Sequence, residues 1–503
     1  MTDSKKRDIL VLAVFLIFSI WFVGKSFGFD NVTKMFWVAR HQVGDFGLHL
    51  ALVRSISYGA NFPMELPFYP GQPLAYHYGF DLLAGLLERA GVRVDIAING
   101  LSAVALMFLF WGIYVFGRSL FRFDRISAAL AALLSIVGGG FAALSAFLRS
   151  PSHPWLIPDY IYKGPFDGSS ILIFFTPNVL LNQRHLIASI AIHVWILYVL
   201  LHRKKQHVLV GTLLGISLYF HSLLFFAGLF ITIFLIVVRR QWRQLLYVLI
   251  PAITISLPHI IEMYSSLSTG GKHMWIRWGF LTPGPVTFLN VITFWWNNMG
   301  VTLLTIGFGL LLANKKQRLL FAPFLALFVL GNIVQFSFRP DHNHSLFNFI
   351  FIVGNLYTVL FLRYLWKKQK IAVFLLLILT TGSGLLNLMA VKNDFRYPLP
   401  ELTSPFVSWV RKVTAPDSVF LSVPDIIDPV ALAGRYNYLG SSYYLDVLGY
   451  SYKERQSVVS SADRMREAGI DYILIPKKPW PGFLPPVEGK IVYDDASYTV
   501  YAL

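Results

Sequence analysis

His41, Asp45 and His49 fall at intervals of four residues, the spacing that stacks side chains along one face of a helix. A carboxylate bracketed by imidazoles can accept a proton and hand it on. Asp45 is flanked by Gly44, Phe46, Gly47 and Leu48, surroundings that raise a carboxyl's pKa and sharpen it as a base. An Asp after a Gly also suits the cap of an interfacial helix. Arg54 lies further along the same stretch and is read as a substrate-binding cation. Tyr76, His77, Tyr78 and Asp81 repeat the theme, with His77 and Asp81 spaced i, i+4. Packed together, the two stretches make Asp45, His49, His77 and Asp81 the candidate catalytic group. Carboxylates with imidazoles also suit Mg²⁺ or Mn²⁺, with Asp45, Asp81 or Asp341 as the acids, but no ligand motif requires a metal.

Asn182-Gln183-Arg184-His185 sits at the mouth of an apolar run, with Asn178 nearby. A guanidinium can bridge two phosphate oxygens while an imidazole shares a proton, so Arg184 and His185 fit the phosphate or pyrophosphate of a lipid head. Snorkelling to membrane phosphate would use the same residues. His221 stands in the middle of the apolar run 208–238. Lys272, His273 and Arg277, beside Gly270-Gly271, form a patch suited to closing over an anionic donor. Arg339-Pro340-Asp341-His342-Asn343-His344 crowds polar side chains into one short connector, with Asn348 in the run that follows. So dense a group between two spans binds a polar ligand or bonds within itself. Arg184, His185, Lys272 and Arg339 are therefore candidate ligands for a donor phosphate. Arg54, His221, Asp341, His342 and His344 are candidate substrate-binding residues.

The elements that must hold these groups are membrane spans. The 503 residues are 55% hydrophobic and 14% charged, with mean hydropathy +0.58, whereas a soluble domain is roughly 25% charged. That excludes a soluble enzyme. Apolar runs, of which a crossing needs roughly 20 residues, lie near 9–27, 95–117, 127–148, 185–201, 208–238, 245–262, 299–314, 319–336, 346–365 and 371–390. The run 208–238 exceeds one untilted crossing and is expected to break at His221, giving about eleven crossings in all. The N-terminus and the connectors 118–125, 203–205, 239–243, 315–318 and 363–370 then fall on one side and carry 19 basic residues. The positive-inside rule places that side in the cytoplasm and, for an odd number of crossings, the C-terminal tail outside. Reading 208–238 as a single crossing would put the later basic connectors on the opposite face. The net charge of +17 is thus a matter of topology, not of nucleic acid. Lys5, Lys6 and Arg7 precede a run with no small-residue cleavage signal, so the first run is read as a retained span of a multi-pass plasma (inner) membrane protein. The chain has no cysteine, which excludes disulfides and thiolate chemistry.

The expected architecture is a polytopic α-helical domain over 1–390 and a small extracytoplasmic α/β domain over 391–503. The outer face owns the loops 28–94, 149–184, 263–298 and 337–345. Within the first loop, helices are expected over 44–58 and 76–90, lying in the interface plane, with an irregular segment through Pro63, Pro67, Pro70 and Pro73 between them. Trp295 and Trp296, near the end of a half-helix from Val286, are expected interfacial anchors. In the tail, strands are expected at 418–423 and 470–475 and the end of a helix at 462–468. The tail's expected role is to cover or shape an external substrate site. There is no internal repeat, GxGxxG, Walker or HExxH motif.

Gly44-Asp45 after the first span, a large first external loop with two helices, many further spans and a tail on the same face together resemble the GT-C superfamily of integral-membrane glycosyltransferases. The stretches Phe68-Tyr69-Pro70-Gly71-Gln72-Pro73-Leu74, Tyr76-His77-Tyr78, Ala433-Gly434-Arg435, Tyr438-Leu439-Gly440 and Gly469-Ile470-Asp471-Tyr472 are similar to a prokaryotic subgroup of predicted membrane glycosyltransferases. The resemblance implies a polyprenyl-phosphate-linked sugar as donor, read along grooves between spans. It also implies an acceptor glycan, lipid or protein, and inversion at the anomeric carbon. By the same resemblance Asp45 is the base or acceptor-orienting group. Several members carry an acidic pair where this chain has Gly44 before a single Asp45, so a metal in the first loop would need Asp81 or Asp341 as its second acid. Nothing resembles the signature of the oligosaccharyltransferase branch, which favours transfer of a monosaccharide. The competing classes are a multi-span lipid or solute transporter, with His221 in a discontinuous helix, and a partner-binding membrane protein.

Overall fold

In the computed structural model of the chain, the residues described are 3–140, 169–203, 205–267, 274–337, 339–478 and 489–503, with 144, 147, 148, 153, 156–160, 164, 480 and 485 between them. They group into two compact units. The first comprises Met1–Ser26, Ser102–Leu257 and His273–Phe395, and the second Phe27–Leu101, Pro258–Lys272 and Arg396–Leu503. Compactness thus groups the first loop with the tail, where the sequence division had kept it with the spans.

The first unit is a bundle of apolar helices. Among the described residues, five helices are long and apolar enough to cross a membrane: Val94–Ser119, Arg184–His202, Arg243–Ser265, Pro340–Trp366 and Lys370–Asn393. Arg125–Val137, His207–Leu218, Ser222–Val238 and Val301–Leu312 are apolar but shorter. The expectation of about eleven crossings is therefore met only in kind, because several apolar runs fold as helices below the roughly 20 residues of a full crossing. Asp3–Val23 is long enough, but Lys5, Lys6, Arg7 and Asp8 charge its first half. The run 208–238 does break at His221, whose extended backbone and side chain cap the helix Ser222–Val238. Pro340–Trp366 has 83% of its apolar window buried and Arg243–Ser265 only 22%, so the former is central to the bundle and the latter peripheral. Close approach uses small residues: a Cβ on Gly309 would strike the Tyr357 carbonyl, and one on Gly384 the Val137 carbonyl. Trp295 is not an interfacial anchor. It is buried, and its indole N–H donates to Asn332 Oδ1 at 2.9 Å, whereas Trp296 on the same helix, Phe288–Met299, is exposed.

The second unit interleaves loop and tail. Strands Phe27–Asp30 and Met35–Ala39 pair antiparallel, and Arg396–Leu399 at the head of the tail adds to the latter. Helices Val43–Ser57 and Gly79–Arg89 follow in the loop. The proline-rich segment between them holds a short hairpin, Glu65–Leu66 with Tyr69–Pro73, turned at Pro67-Phe68, with Gly71 at φ +88° where the register shifts in the second strand. Gly79–Arg89 leaves Leu83, Leu86 and Leu87 exposed as an apolar strip. The tail is α/β, as expected. Val419–Leu421, Tyr436–Asn437 and Tyr472–Pro476 run parallel, and Tyr498–Ala502 and Lys490–Asp494 complete the five strands antiparallel. Helix Ala462–Glu467 leads into Tyr472–Pro476. Phe406, Val410, Phe420, Leu474 and Val500 form part of its core.

Candidate active site

Asp45 lies in the first turn of Val43–Ser57, and Asp81 in the first turn of Gly79–Arg89. Both carboxylates therefore sit at the positive end of a helix. The N-cap of the first helix is Gln42, so Asp45 is not the cap that its place after Gly44 suggested, and His41 belongs to the 3₁₀ turn before it. Gly85 sets how near the two helices come. A Cβ there would lie 2.8 Å from Ile56 Cβ and 2.9 Å from the Val53 carbonyl oxygen, a separation a side chain would not allow.

That approach joins His49 to Asp81. The Nδ1–H of His49 donates to both carboxylate oxygens of Asp81, 3.0 Å from each, and both residues are buried. Asp81 was expected to pair with His77 one turn before it. Tyr76 and His77 precede the helix instead, and it is His49, 32 positions away in sequence, that the carboxylate meets. Burial pushes the Asp81 carboxyl up, and His49 opposes the shift. Tyr76 stands beside this pair, with its ring 6.3 Å from that of His49 and 3.9 Å from that of His77. Burial raises its phenol well above the usual range, and the charges of Asp81 and Asp45 raise it further. Tyr76 thus lies within the electrostatic reach of both acids.

The tail reaches the same helix. Tyr444 donates from its hydroxyl to the carbonyl of Gly44 at 2.7 Å, next to Asp45 in the chain. A Cβ on Gly47 would collide with this hydroxyl and with the Ile426 carbonyl. Further along, Arg435 Nη1 donates to the Tyr58 carbonyl at 2.6 Å, Gly440 N to Phe68 O at 3.0 Å and Asn437 N to Pro67 O at 2.8 Å. Arg455 stacks on Tyr69 at 3.5 Å and donates to the Pro70 carbonyl. The loop stretch 68–74 and the tail stretches 433–435 and 438–440 are therefore two halves of one interlocked surface. Tyr444 was missed as a contributor to the site because a tyrosine in an aromatic-rich chain gives no signal of its own, whereas Tyr76 stood out in the sequence beside His77 and Asp81. His259, buried and ring-to-ring with Tyr78 at 4.9 Å, was missed as well. Its Nδ1 lies 3.1 Å from Glu262 Oε2, and a His and Glu three apart in an apolar run was the available clue.

The remaining candidates gather in the first unit. Arg184 is buried and spends its guanidinium locally: Nε donates to the Leu181 carbonyl at 2.7 Å, and Nη2 to Val23 O and Ser26 Oγ. His185 and His221 face each other with ring centroids 5.7 Å apart. Gln183 Nε2 meets His344 Nε2 at 3.1 Å, while His344 stacks on Phe174 at 4.6 Å and Asn348 donates to the His344 carbonyl. Arg339 grips Asp341 with two hydrogen bonds of 3.0 and 3.1 Å, and His342 Nδ1 lies 2.6 Å from Ser337 Oγ. Within the connector 339–344 Arg339 thus holds Asp341, while His342 and Asn343 bond to the preceding stretch at Ser337, Gly331 and Val334, and His344 links the connector to the 183–185 stretch. Lys272, and with it His273, lies outside the described residues.

Asp81 gives both oxygens to His49, and Asp341 gives both to Arg339. Among the described residues no three His, Asp or Glu side chains group as metal ligands.

No protein-family model matches the chain, and neither does any curated protein. Solved structures do. ArnT from Cupriavidus metallidurans, bound to undecaprenyl phosphate, superposes with a TM-score of 0.52 at 12% identity, over 98% of this chain and 97% of that one. The mycobacterial arabinofuranosyltransferase AftD superposes with a TM-score of 0.51 at 13% identity, over 98% of this chain but 39% of that one. At such identities the likeness is one of fold: this polytopic α-helical chain shares the fold of these two proteins.

Proposed function

We propose that the chain is an inverting glycosyltransferase that moves a monosaccharide from a polyprenyl-phosphate-linked donor to an acceptor hydroxyl on the extracytoplasmic face. The observation that carries this reading is the conjunction, in one unit, of half-buried Asp45 with the His49–Asp81 pair one turn along the same helix. The fold likeness to ArnT with its undecaprenyl phosphate supports it. A carboxylate half-shielded from water is a competent general base, and a histidine held by a buried carboxylate is fixed in orientation. In the proposed step the acceptor oxygen bonds to the anomeric carbon as the bond from that carbon to the phosphate oxygen breaks. Asp45 takes the acceptor proton, and the electron pair leaves with the polyprenyl phosphate. His49, Asp81 and Tyr76 hold the acceptor in place. Arg339 and Arg184, with His185, His221 and His344, supply the charge and hydrogen bonds that receive the departing phosphate. His77 is assigned to the same catalytic group as His49 and Asp81, Lys272 to the donor-phosphate ligands, and Asp341 and His342 to substrate binding.

The proposed orientation puts the N-terminus in the cytoplasm of the plasma (inner) membrane, with about eleven passages, the shorter apolar helices counting as partial ones. Mass spectrometry of lipids retained by the purified protein in nanodiscs, before and after adding polyprenyl-phosphate sugars, tests the donor. Asp45→Asn should keep the donor and lose transfer by roughly 10²–10⁴-fold, the usual contribution of a general base. Undiminished turnover in that variant would remove Asp45 from the chemistry, and a wild-type protein that retains no prenyl-phosphate lipid would overturn the transferase. In that case a transporter, for which the helix break at His221 speaks, would be assayed by flux across a vesicle membrane.

A further inference from the structure

Val43–Ser57 carries a second polar group at its far end. Arg54 is nine residues beyond Asp45, about 13 Å along the axis and half a turn around it. Its Nη1 lies 2.8 Å from Glu88 Oε1, and Ser57 Oγ donates to the other Glu88 oxygen at 2.7 Å. Arg54 and Arg411, the latter from the tail, both stack on the Tyr58 ring, with their guanidinium carbons 5.3 and 3.7 Å from its centroid. Arg54, Tyr58, Glu88 and Arg411, with Phe36 and Leu402, line a cavity of about 340 Å³. A water's share of liquid volume is only about 30 Å³, so the space suits a small organic ligand.

The cavity's charges do not balance. Glu88 answers Arg54, but Arg411 has no ion pair among the described residues and donates instead to the Leu432 carbonyl. Arg435 adds a third guanidinium behind it, bonded to the Arg411 carbonyl. Arg93, which also lines the cavity, is neutralised by Asp95. The Nε atoms of both Arg54 and Arg411 are buried with no hydrogen-bond partner, a costly state for a charged donor. Burial, with the charge of Arg54 beside it, pushes the Arg411 guanidinium down to about 10, and burial pushes the Glu88 carboxyl up. Arginines stacked on an aromatic ring and short of acceptors form the arrangement that takes planar or tetrahedral oxyanions.

We infer that this cavity is an oxyanion-binding site, separate from Asp45, that holds the phosphate or carboxylate group of a small ligand between Arg54 and Arg411. It does not depend on the role of Asp45.

The test uses the full chain in phosphatidylcholine nanodiscs, titrated with inorganic phosphate by calorimetry. A second arm measures retention of phosphatidic acid by native mass spectrometry. Binding in the first arm indicates a soluble ligand, and binding only in the second a lipid head group. Arg411→Gln should weaken binding by roughly tenfold or more, as expected for losing a charge-assisted bond, and Arg411→Lys should restore part of it. Glu88→Gln, which removes the competing negative charge, should tighten binding. This opposite sign separates a ligand site from a structural brace, which both substitutions would loosen alike. Absence of binding in both arms, Arg411→Gln binding as wild type does, or weakening by Glu88→Gln would overturn the inference.

Discussion

Asp45 and His49 could be read from their spacing because both lie on one helix, where four residues make about one turn. The partner of His49 could not. Asp81 appeared tied to His77 by the same rule, yet the helix begins at Gly79 and leaves His77 outside it. Pairing across 32 positions is set by where two helices meet, and that depends on Gly85, whose missing side chain looks like nothing in particular in the sequence. If the pair holds the acceptor, Asp81→Asn should lower kcat while the lipid donor still binds, and His49→Gln should do the same without adding to it, since both break one interaction. Kinetics of the two single variants and the double variant would show this, and fully additive losses would mean that the residues act separately. Asp428 makes a different prediction, about stability. Its carboxylate caps Pro429–Leu432 and accepts hydrogen bonds from Asn437 and Ser422, yet burial drives its pKa up to about 6 from the model-peptide value of 3.8. The folded state therefore holds a proton that the unfolded state has released. The stabilisation is complete below about 4 and is lost as pH rises through 6, on the order of 2–3 kcal/mol in total. Thermal unfolding between pH 4 and 7 should show this slope, flattened in Asp428→Asn whatever that variant's absolute Tm.

At the scale of elements, the few helices and strands expected in the second unit lie within a few residues of their sequence signals, while Phe27–Asp30, Met35–Ala39, Arg396–Leu399, Lys490–Asp494 and Tyr498–Ala502 were not among those expected. Val43–Ser57 occupies the stretch 44–58 with its apolar periodicity, and Tyr472–Pro476 follows Gly469 as a strand after a turn should. What the pattern of each element could not reveal was its partner. The stretches 68–74 and 433–440, more than 350 positions apart, meet backbone to backbone at Phe68 and Gly440, and the helix bearing Asp45 is fastened to the tail by Tyr444 and Arg435. Gly47→Ala is the direct test of that fastening, because a methyl there has no room beside Ile426 and Tyr444. It should cost about 1–3 kcal/mol of stability, as overpacking does, and reduce turnover by shifting Asp45. The same change at Gly44, where a Cβ would meet nothing within 4 Å, should leave stability within about 0.5 kcal/mol of wild type. Unfolding curves of the two variants side by side would decide it, and equal losses would mean that the helix reaches the tail some other way.

Over the whole chain, the distribution of positive charge can be compared with which connectors meet. In the first unit the N-terminal segment touches the connector 118–125 through Arg125 and Asp8, 2.8 Å apart. Arg363 reaches Asp124 at 3.4 Å, and Gln317 donates to the Leu120 carbonyl. Four of the basic segments therefore gather at one end of the helix bundle, although the count of membrane-length helices came out lower than the apolar runs suggested. Charge bias could be read because it is a sum over loops, while span number could not, since short helices and broken ones share one hydropathy. The gathered end should face the cytoplasm. With no native cysteine in the chain, single cysteines report the side directly. Ser119→Cys and Lys368→Cys, both at exposed positions of the gathered end, should react with a membrane-impermeant maleimide only after cells are opened. Ser460→Cys, exposed in the tail, should react in intact cells. The reverse pattern would turn the protein over and place Asp45 on the cytoplasmic face, where a donor on the extracytoplasmic leaflet could not reach it. Labelling of all three from one side would instead mean an even number of passages, and the short helices would then have to be recounted.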